Sequence, residues 1–167
     1  VEEYNFWLKL GEVENANNAI QNALIANPDN IELQYSVGLL FDGLCTKHID
    51  EKNLEKATLN FEKAVESYRN VIELDSMYEN GEPYYLIGRL HVYLAQEINS
   101  VNLQLQKPDD LLSQKADSLL KSAFPILENQ LKNFPISKDP LNVLKIIYAQ
   151  LSMENDYARI KKMIEEL

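Results

Sequence analysis

Few residues in this 167-residue chain have the types and spacing that metal or catalytic chemistry requires. Cys45 precedes His48 by three positions, a spacing that suits half of a zinc site, but no second cysteine–histidine pair exists in the chain. His91 falls between Ile87 and Leu94 in a helical pattern of apolar residues, which favours a packing role over a catalytic one. We therefore predict no metal site, no cofactor and no catalytic residue.

The motifs that usually accompany enzymatic activity are also missing from the sequence. There is no glycine-rich phosphate loop, no G-x-S-x-G nucleophile turn and no H-E-x-x-H pair. A di-iron helical bundle needs Glu-x-x-His pairs, but Cys45 and Gly88 stand three residues before the two histidines. The sequence predicts that the chain is not an enzyme.

Composition and charge narrow the partners that the chain could bind. It has 16 Lys+Arg against 26 Asp+Glu, a net charge of −10, and 46% hydrophobic residues. This acidity disfavours nucleic acid, and no apolar run approaches the roughly 18 residues that membrane insertion needs. Val1 stands in what reads as mid-helix, so we expect preceding residues. The compartment stays open, with export to the periplasm expected if the full-length protein carries a signal peptide.

The elements that must position these side chains are helices. Hydrophobic periodicity is helical nearly throughout, and no segment alternates with period two, so we predict about eight helices and no β-sheet. Pro83 and Pro140 suit first helical turns. Asp139 suits an N-cap, as does either Asp109 or Asp110 after Pro108. Pro125 should kink its helix. The predicted breaks fall at residues 27–30, 46–52, 76–83, 107–110, 133–140 and 152–156.

Internal repeats organise these helices. Three stretches share the residue offsets 0, 4, 7 and 12, and small residues stand where two helices would approach each other closely. Gly38 and Gly88 mark the preceding helix of two of these units, and Lys145 stands at that position in a fourth. The three stretches are Ala16, Ile20, Ala23 and Pro28; Ala64, Tyr68, Val71 and Ser76; and Ala123, Leu127, Gln130 and Pro135.

On these residues the chain resembles the tetratricopeptide (TPR) repeat family, whose pattern is W-x2-L-G-x2-Y, then A-x3-F, then P. The resemblance implies an all-α array of antiparallel helix pairs, an α-solenoid, in one domain. Its approximate repeats are 1–28, 29–76, 77–135 and 136–167, the first of them truncated, with Trp7 in its large aromatic position. Ser76, Lys145 and Gln130 depart from the family pattern.

The middle repeats are unusually long. Gly38 and Gly88 are 50 residues apart, whereas a TPR period is about 34. The excess keeps apolar residues at 3–4 spacing, so it lengthens helices rather than loops. This layout, over residues 57–167, is similar to that of tetratricopeptide proteins common in Bacteroidetes bacteria, which are often exported and mostly without assigned activity.

The resemblance also implies a binding groove lined by the first helix of each pair. Its lining positions, counted from the small glycine, map here to Tyr35, Leu39, Asp42, Tyr85, Arg89, Val92, Tyr93, Asn142 and Ile146. Only Arg89 among them could grip a peptide carboxylate, which disfavours a two-carboxylate clamp. An equally open alternative is that neighbouring long helices bury this face.

The function predicted from these features is a non-catalytic protein–protein interaction scaffold that binds a peptide or protein partner in the groove. Two alternatives stay open. The extended helices could continue their apolar seams into a second copy, which would make the chain a self-assembly element and a homo-oligomer. A helical bundle that binds a small ligand would instead need a closed cavity with convergent polar groups.

Overall fold

The computed structural model describes residues 2–10 and 12–167, and this part of the chain contains eight α-helices and no β-strand. The predicted all-α fold is therefore confirmed. Val1, and with it the expectation of a helix that starts upstream, lies outside the described residues. The helices are α1 (Glu2–Lys9), α2 (Val13–Ala26), α3 (Ile31–Asp50), α4 (Leu54–Leu74), α5 (Glu82–Leu103), α6 (Asp110–Asn133), α7 (Lys138–Gln150) and α8 (Glu154–Glu165).

Side-chain caps fix several helix starts. The side chains of Asn30, Asn53 and Asp109 accept hydrogen bonds from backbone N–H groups one turn or less into α3, α4 and α6, at 2.8–3.1 Å. Pro83 lies in the first turn of α5, as predicted. The predicted cap at Asp139 is wrong, because α7 already begins at Lys138 and this carboxylate lies within its first turn.

The predicted break at residues 46–52 is also wrong for most of its length. The helix α3 continues through this segment to Asp50, and only residues 51–53 form the turn that leads into α4. The polar residues Thr46, Lys47 and His48 suggested a loop, yet Ile49 packs against the core and keeps the helical face apolar. Tertiary packing thus overrides the weak local propensity.

One turn geometry recurs between the two helices of the first, second and fourth pairs. Its mark is a backbone hydrogen bond that spans five residues, from Glu12 to Trp7, from Asn53 to His48 and from Met153 to Tyr148, at 2.9–3.0 Å. Such 6→1 bonds are the hallmark of a Schellman helix end. The turn between α5 and α6 is longer, at residues 104–109, and the side chain of Asn102 organises it by bonding the backbone of Asp109.

The helices pack as consecutive pairs. Contacts are most extensive between α3 and α4 and between α5 and α6, and the first helices of neighbouring pairs, α3 with α5 and α5 with α7, also touch. Most of the buried apolar side chains of the described residues form one cluster that extends from Ala16 to Ile160. This arrangement is consistent with a helical repeat array.

Two glycines allow the close approach within the central pairs. A Cβ atom on Gly38 would lie 2.4 Å from the ring of Tyr68, and one on Gly88 would lie 2.6 Å from Leu127 Cγ. Real Cβ atoms do not approach other atoms so closely, so each glycine is required by the side chain opposite. The close helix approach predicted at small residues is therefore confirmed at both glycines, and a large side chain fills the space opposite each.

The lengthening of the middle helices is confirmed as well. The helices α2 and α4 have 14 and 21 residues. The difference is about two helical turns, so the apolar face of the longer helix continues along the same side. With 22 residues, α5 is about 33 Å long. The 24-residue helix α6 runs through Pro125 to Asn133.

The residues that depart from the repeat pattern behave differently from one another. Gln130 is buried, and its side-chain amide donates to the backbone oxygen of Gly81 at 3.0 Å, so it joins α6 to the start of α5. Lys145, which stands where two repeats have glycine, is half-buried. In α8, the buried residue is Ile160.

Candidate interaction surface

The first helices of the second, third and fourth pairs, α3, α5 and α7, lie side by side and carry all nine residues that the sequence assigned to a groove. We call this the A face. Its predicted members differ in accessibility. Leu39, Tyr93 and Asn142 are exposed, Tyr35, Tyr85, Arg89 and Ile146 are half-buried, and Asp42 and Val92 are buried.

Burial removes two predicted residues from direct contact with a partner. Val92 is 1% exposed and packs in the core, and Asp42 is 5% exposed. Val92 was predicted to line the groove because it lies four residues after Gly88. In the long helix α5 this position instead turns toward the core. The accessible part of the A face is therefore narrower than the sequence predicted.

A buried polar cluster fixes the relative position of α3 and α5. Arg89 Nη2 lies 2.5 Å from Asp42 Oδ2, and the hydroxyl of Tyr68 on α4 donates to the same oxygen at 3.1 Å. The Arg89 guanidinium also lies over the ring of Tyr93, 5.4 Å from its centroid. The cationic group that the sequence offered to a partner is thus engaged within the molecule.

The electrostatics of this cluster follow from its burial. Loss of solvent raises the pKa of the Asp42 carboxyl, while the charge of Arg89 and the bond from Tyr68 act in the opposite direction. Burial and the neighbouring Asp42 charge raise the pKa of the Tyr68 phenol, so this hydroxyl stays protonated and donates. The cluster is a structural link between two helix pairs.

Other tyrosines of this region also bridge helices. The hydroxyl of Tyr35 donates to Glu82 Oε2 at 2.5 Å, which ties α3 to the start of α5. Its ring centroid lies 5.1 Å from that of Tyr78, whose hydroxyl donates to Glu32 Oε2 at 3.1 Å. Burial, aided by Glu32, raises the pKa of Tyr78 to about 12. Tyr93 is therefore the A-face tyrosine most available to a partner.

A cleft that the sequence analysis missed opens beside Tyr93. Its volume is about 480 Å³, and it lies between the last turns of α3 and the second half of α5. Three of its residues fall in the segment 46–52, where the sequence predicts a break between helices rather than a helix face. The lining residues are Thr46, Ile49, Asp50, Tyr93, Gln96, Glu97 and Ser100.

Glu97 is the least accessible charged group in the wall of this cleft. Its side chain is 4% exposed, and Oε2 accepts a hydrogen bond from Lys52 Nζ at 2.9 Å. Its other oxygen, Oε1, is buried and has no hydrogen-bond partner. Lys52 approaches from the turn after α3, and its own side chain is 62% exposed.

Cys45, His48 and His91, the residues whose types could bind a metal or act in catalysis, make packing and hydrogen-bond contacts within the chain. Cys45 is buried, and burial raises the pKa of its thiol to about 12, whereas His48 Nδ1 lies 2.9 Å from Glu51 Oε2. His91 is buried against Phe61, as expected for a packing residue, and its Nδ1 lies 2.7 Å from the Ile87 carbonyl oxygen. Burial lowers the pKa of His91. Within residues 2–10 and 12–167, no group of three or more histidine, cysteine or acidic side chains is arranged to hold a metal ion.

The fold defines the class of this protein as an all-α protein built from helix pairs, and comparison with known proteins does not narrow that class. No protein-family model matches the chain, and no curated protein or solved structure is significantly similar to it. Among the described helices, none combines the length and the apolar character needed to cross a bilayer.

Proposed function

We propose that this chain is a non-catalytic interaction module that binds a peptide or protein segment on the A face, as its resemblance to tetratricopeptide repeats implies. The observation that carries the proposal is the side-by-side packing of α3, α5 and α7, which gives one face with exposed Leu39, Tyr93 and Asn142. Apolar and aromatic side chains on a face of this kind are suitable anchors for a partner.

Features of the scaffold support this proposal. The same helix-ending turn recurs in three pairs, and glycine faces a large side chain in both central pairs. These are the properties expected of a repeat array with a tetratricopeptide-like plan. Proteins of this architecture present extended surfaces to their partners.

Binding to such a surface would depend on rigidity. The Arg89–Asp42 pair and the Tyr35–Glu82 bond join α3 to α5 through contacts within the chain itself. A surface that is already in place loses little conformational entropy when a segment docks on it. The proposed mechanism is therefore capture by a preformed face.

The test uses substitutions that spare the buried cluster. Changing Tyr85 and Arg89 to alanine would disrupt the pair with Asp42, so exposed A-face residues are the better choice. A peptide display selection against the wild-type protein supplies ligands, and fluorescence anisotropy measures their affinities. The double variant Leu39→Ala/Tyr93→Ala should weaken binding by roughly 10-fold or more, since tenfold corresponds to about 1.4 kcal/mol.

The matched control is Leu59→Ala on α4. Leu59 and Leu39 have similar exposures, 52% and 45%, but Leu59 lies on a second helix, away from the A face. It should leave the affinity unchanged. A selection that returns no peptide, or peptides that bind the double variant and wild type equally, would contradict the proposal.

Self-assembly is a second candidate function, favoured by exposed apolar residues at the end of the longest helix pair. Leu103 and Leu111 are 81% and 72% exposed, on either side of the turn between α5 and α6. Sedimentation velocity across a range of concentrations tests this candidate. A monomer whose mass does not change with concentration would exclude it.

A further inference from the structure

The cleft beside Tyr93 has walls of opposite character. Ile49 and the exposed ring of Tyr93 supply apolar surface, whereas Asp50 and Glu97 supply two carboxylates. No lysine or arginine is among its lining residues. The whole chain carries a net charge of −10, so its long-range electrostatic field attracts cations, as do these two carboxylates.

The buried carboxylate of Glu97 indicates what the cleft lacks. Ionised carboxylates accept several hydrogen bonds, and buried polar atoms are almost always paired. Lys52 satisfies one oxygen of Glu97 from the turn side, but Oε1 has no donor. A ligand that brings N–H donors and a positive charge into the cleft would complete this set.

The size and lining of the cleft favour a long cationic side chain. A volume of about 480 Å³ has room for such a side chain and part of its backbone. Methylene groups would lie against Ile49 and Tyr93 while the charged end reaches the carboxylates. A guanidinium suits this site better than an ammonium, because its planar fork donates to a carboxylate and stacks on an aromatic ring.

We infer that the cleft between α3 and α5 binds an arginine side chain of a basic peptide segment, with Glu97 and Asp50 as its acceptors and Tyr93 as its stacking wall. This inference rests on the proposed function and names the chemical class of the partner. It also gives a role to the added length of the middle helices, since Asp50 and Glu97 lie in the parts of α3 and α5 beyond the short-repeat pattern.

The experiment measures the affinity of fluorescein-labelled peptides by anisotropy. One peptide alternates arginine with glycine, a second has lysine at each arginine position, and a third has glutamine there. The arginine peptide should bind most tightly, the lysine peptide several-fold more weakly and the glutamine peptide not measurably. Added salt should weaken arginine binding, since the contact is ionic.

Single-charge variants locate the site. Asp50→Asn and Glu97→Gln should each weaken the arginine peptide by roughly tenfold, whereas Asp117→Asn, the same change at an exposed position on α6, should alter it less than twofold. Lys52→Gln should strengthen binding several-fold, because it removes the cation that competes for Glu97. A purely structural role of Glu97 predicts no such gain. Circular dichroism checks that each variant is folded.

The outcomes separate this inference from the proposed function. Equal weakening by Asp50→Asn and Asp117→Asn, or equal binding of the arginine and lysine peptides, would overturn the arginine site. Peptides from the display selection that bind the A face with no preference for arginine would leave the proposed function intact and overturn only this inference. Failure of every peptide to bind would overturn both.

Discussion

Within the described residues, a tyrosine, a carboxylate and an arginine meet in two places, and in both places they join successive helix pairs. In the first cluster, Tyr68 and Arg89 share Asp42, which links α3 and α4 to α5. In the second, Tyr148 donates to Glu128 Oε1 at 2.6 Å. Arg159 pairs with the same oxygen, so α6 is linked to α7 and α8.

The two clusters have the same chemistry but differ in burial. The side chains of Asp42 and Arg89 are 7% and 25% exposed, whereas those of Glu128 and Arg159 are 23% and 43% exposed. A salt bridge between hydrated charges contributes little to stability. When the charges are buried, removal of one partner leaves the other without a counter-charge and strongly destabilises the protein. The first cluster therefore fixes a helix position, and the second adds little to the stability.

The comparison implies that loss of the shared carboxylate has very different effects in the two places. Asp42→Asn leaves the half-buried Arg89 guanidinium without its counter-charge, and we expect a loss of roughly 2–4 kcal/mol in the free energy of unfolding, as when one partner of a buried pair is removed. Glu128→Gln should cost about 0.5–1 kcal/mol, as for exposed pairs. Urea unfolding followed by circular dichroism measures both, and equal losses would show that burial is not the deciding factor.

A second substitution tests the packing that positions the first cluster. Gly38→Ala would place a methyl group 2.4 Å from the Tyr68 ring, which must then move away from Asp42. We expect a destabilisation of about 1–3 kcal/mol, as for other overpacked sites.

Gly43→Ala on the same helix is its control, because nothing lies within 4 Å of the added Cβ atom. This change should stabilise the protein by roughly 0.5–1 kcal/mol, the advantage of alanine over glycine in a helix. Thermal unfolding of the two variants should thus shift in opposite directions. A shift of the same sign would mean that Gly38 is not required by close packing.

The smallest expected difference concerns the two phenol hydroxyls. Tyr68→Phe removes a donor to a buried carboxylate and should cost about 1.5 kcal/mol, whereas Tyr148→Phe should cost roughly 0.5 kcal/mol because water replaces the donor at Glu128. The same urea titrations resolve these values. A larger loss for Tyr148→Phe would reverse the ranking of the two clusters.

The sequence anticipated the helical fold and its central contacts because these depend on local patterns. Apolar spacing predicted about eight helices, and the small residues of the repeats, among them Gly38 and Gly88, predicted where helices approach each other closely. The errors fell where polar residues such as Thr46 and His48 continue a helix that packing supports. A local pattern does not report such support.

The candidate site was predicted only in outline. The mapped positions do fall on the A face, but Val92 and Asp42 are buried there, and Arg89 is engaged by a carboxylate 47 residues away. The cleft with Glu97 was not anticipated, since its walls come from α3 and α5 and its position depends on how the two long helices align. The sequence indicated the length of the two helices, but it did not indicate which side chains line the cleft between them.

By itself the sequence determined that this chain forms helices, where most of them end and which small residues allow close crossings, because hydrophobic period, caps and glycine act over a few neighbouring residues. Only the tertiary structure decided which charges are buried, which tyrosines are engaged and where a cleft opens. Those properties depend on the rotation and axial shift of one helix against another, and residues far apart in the chain set them jointly.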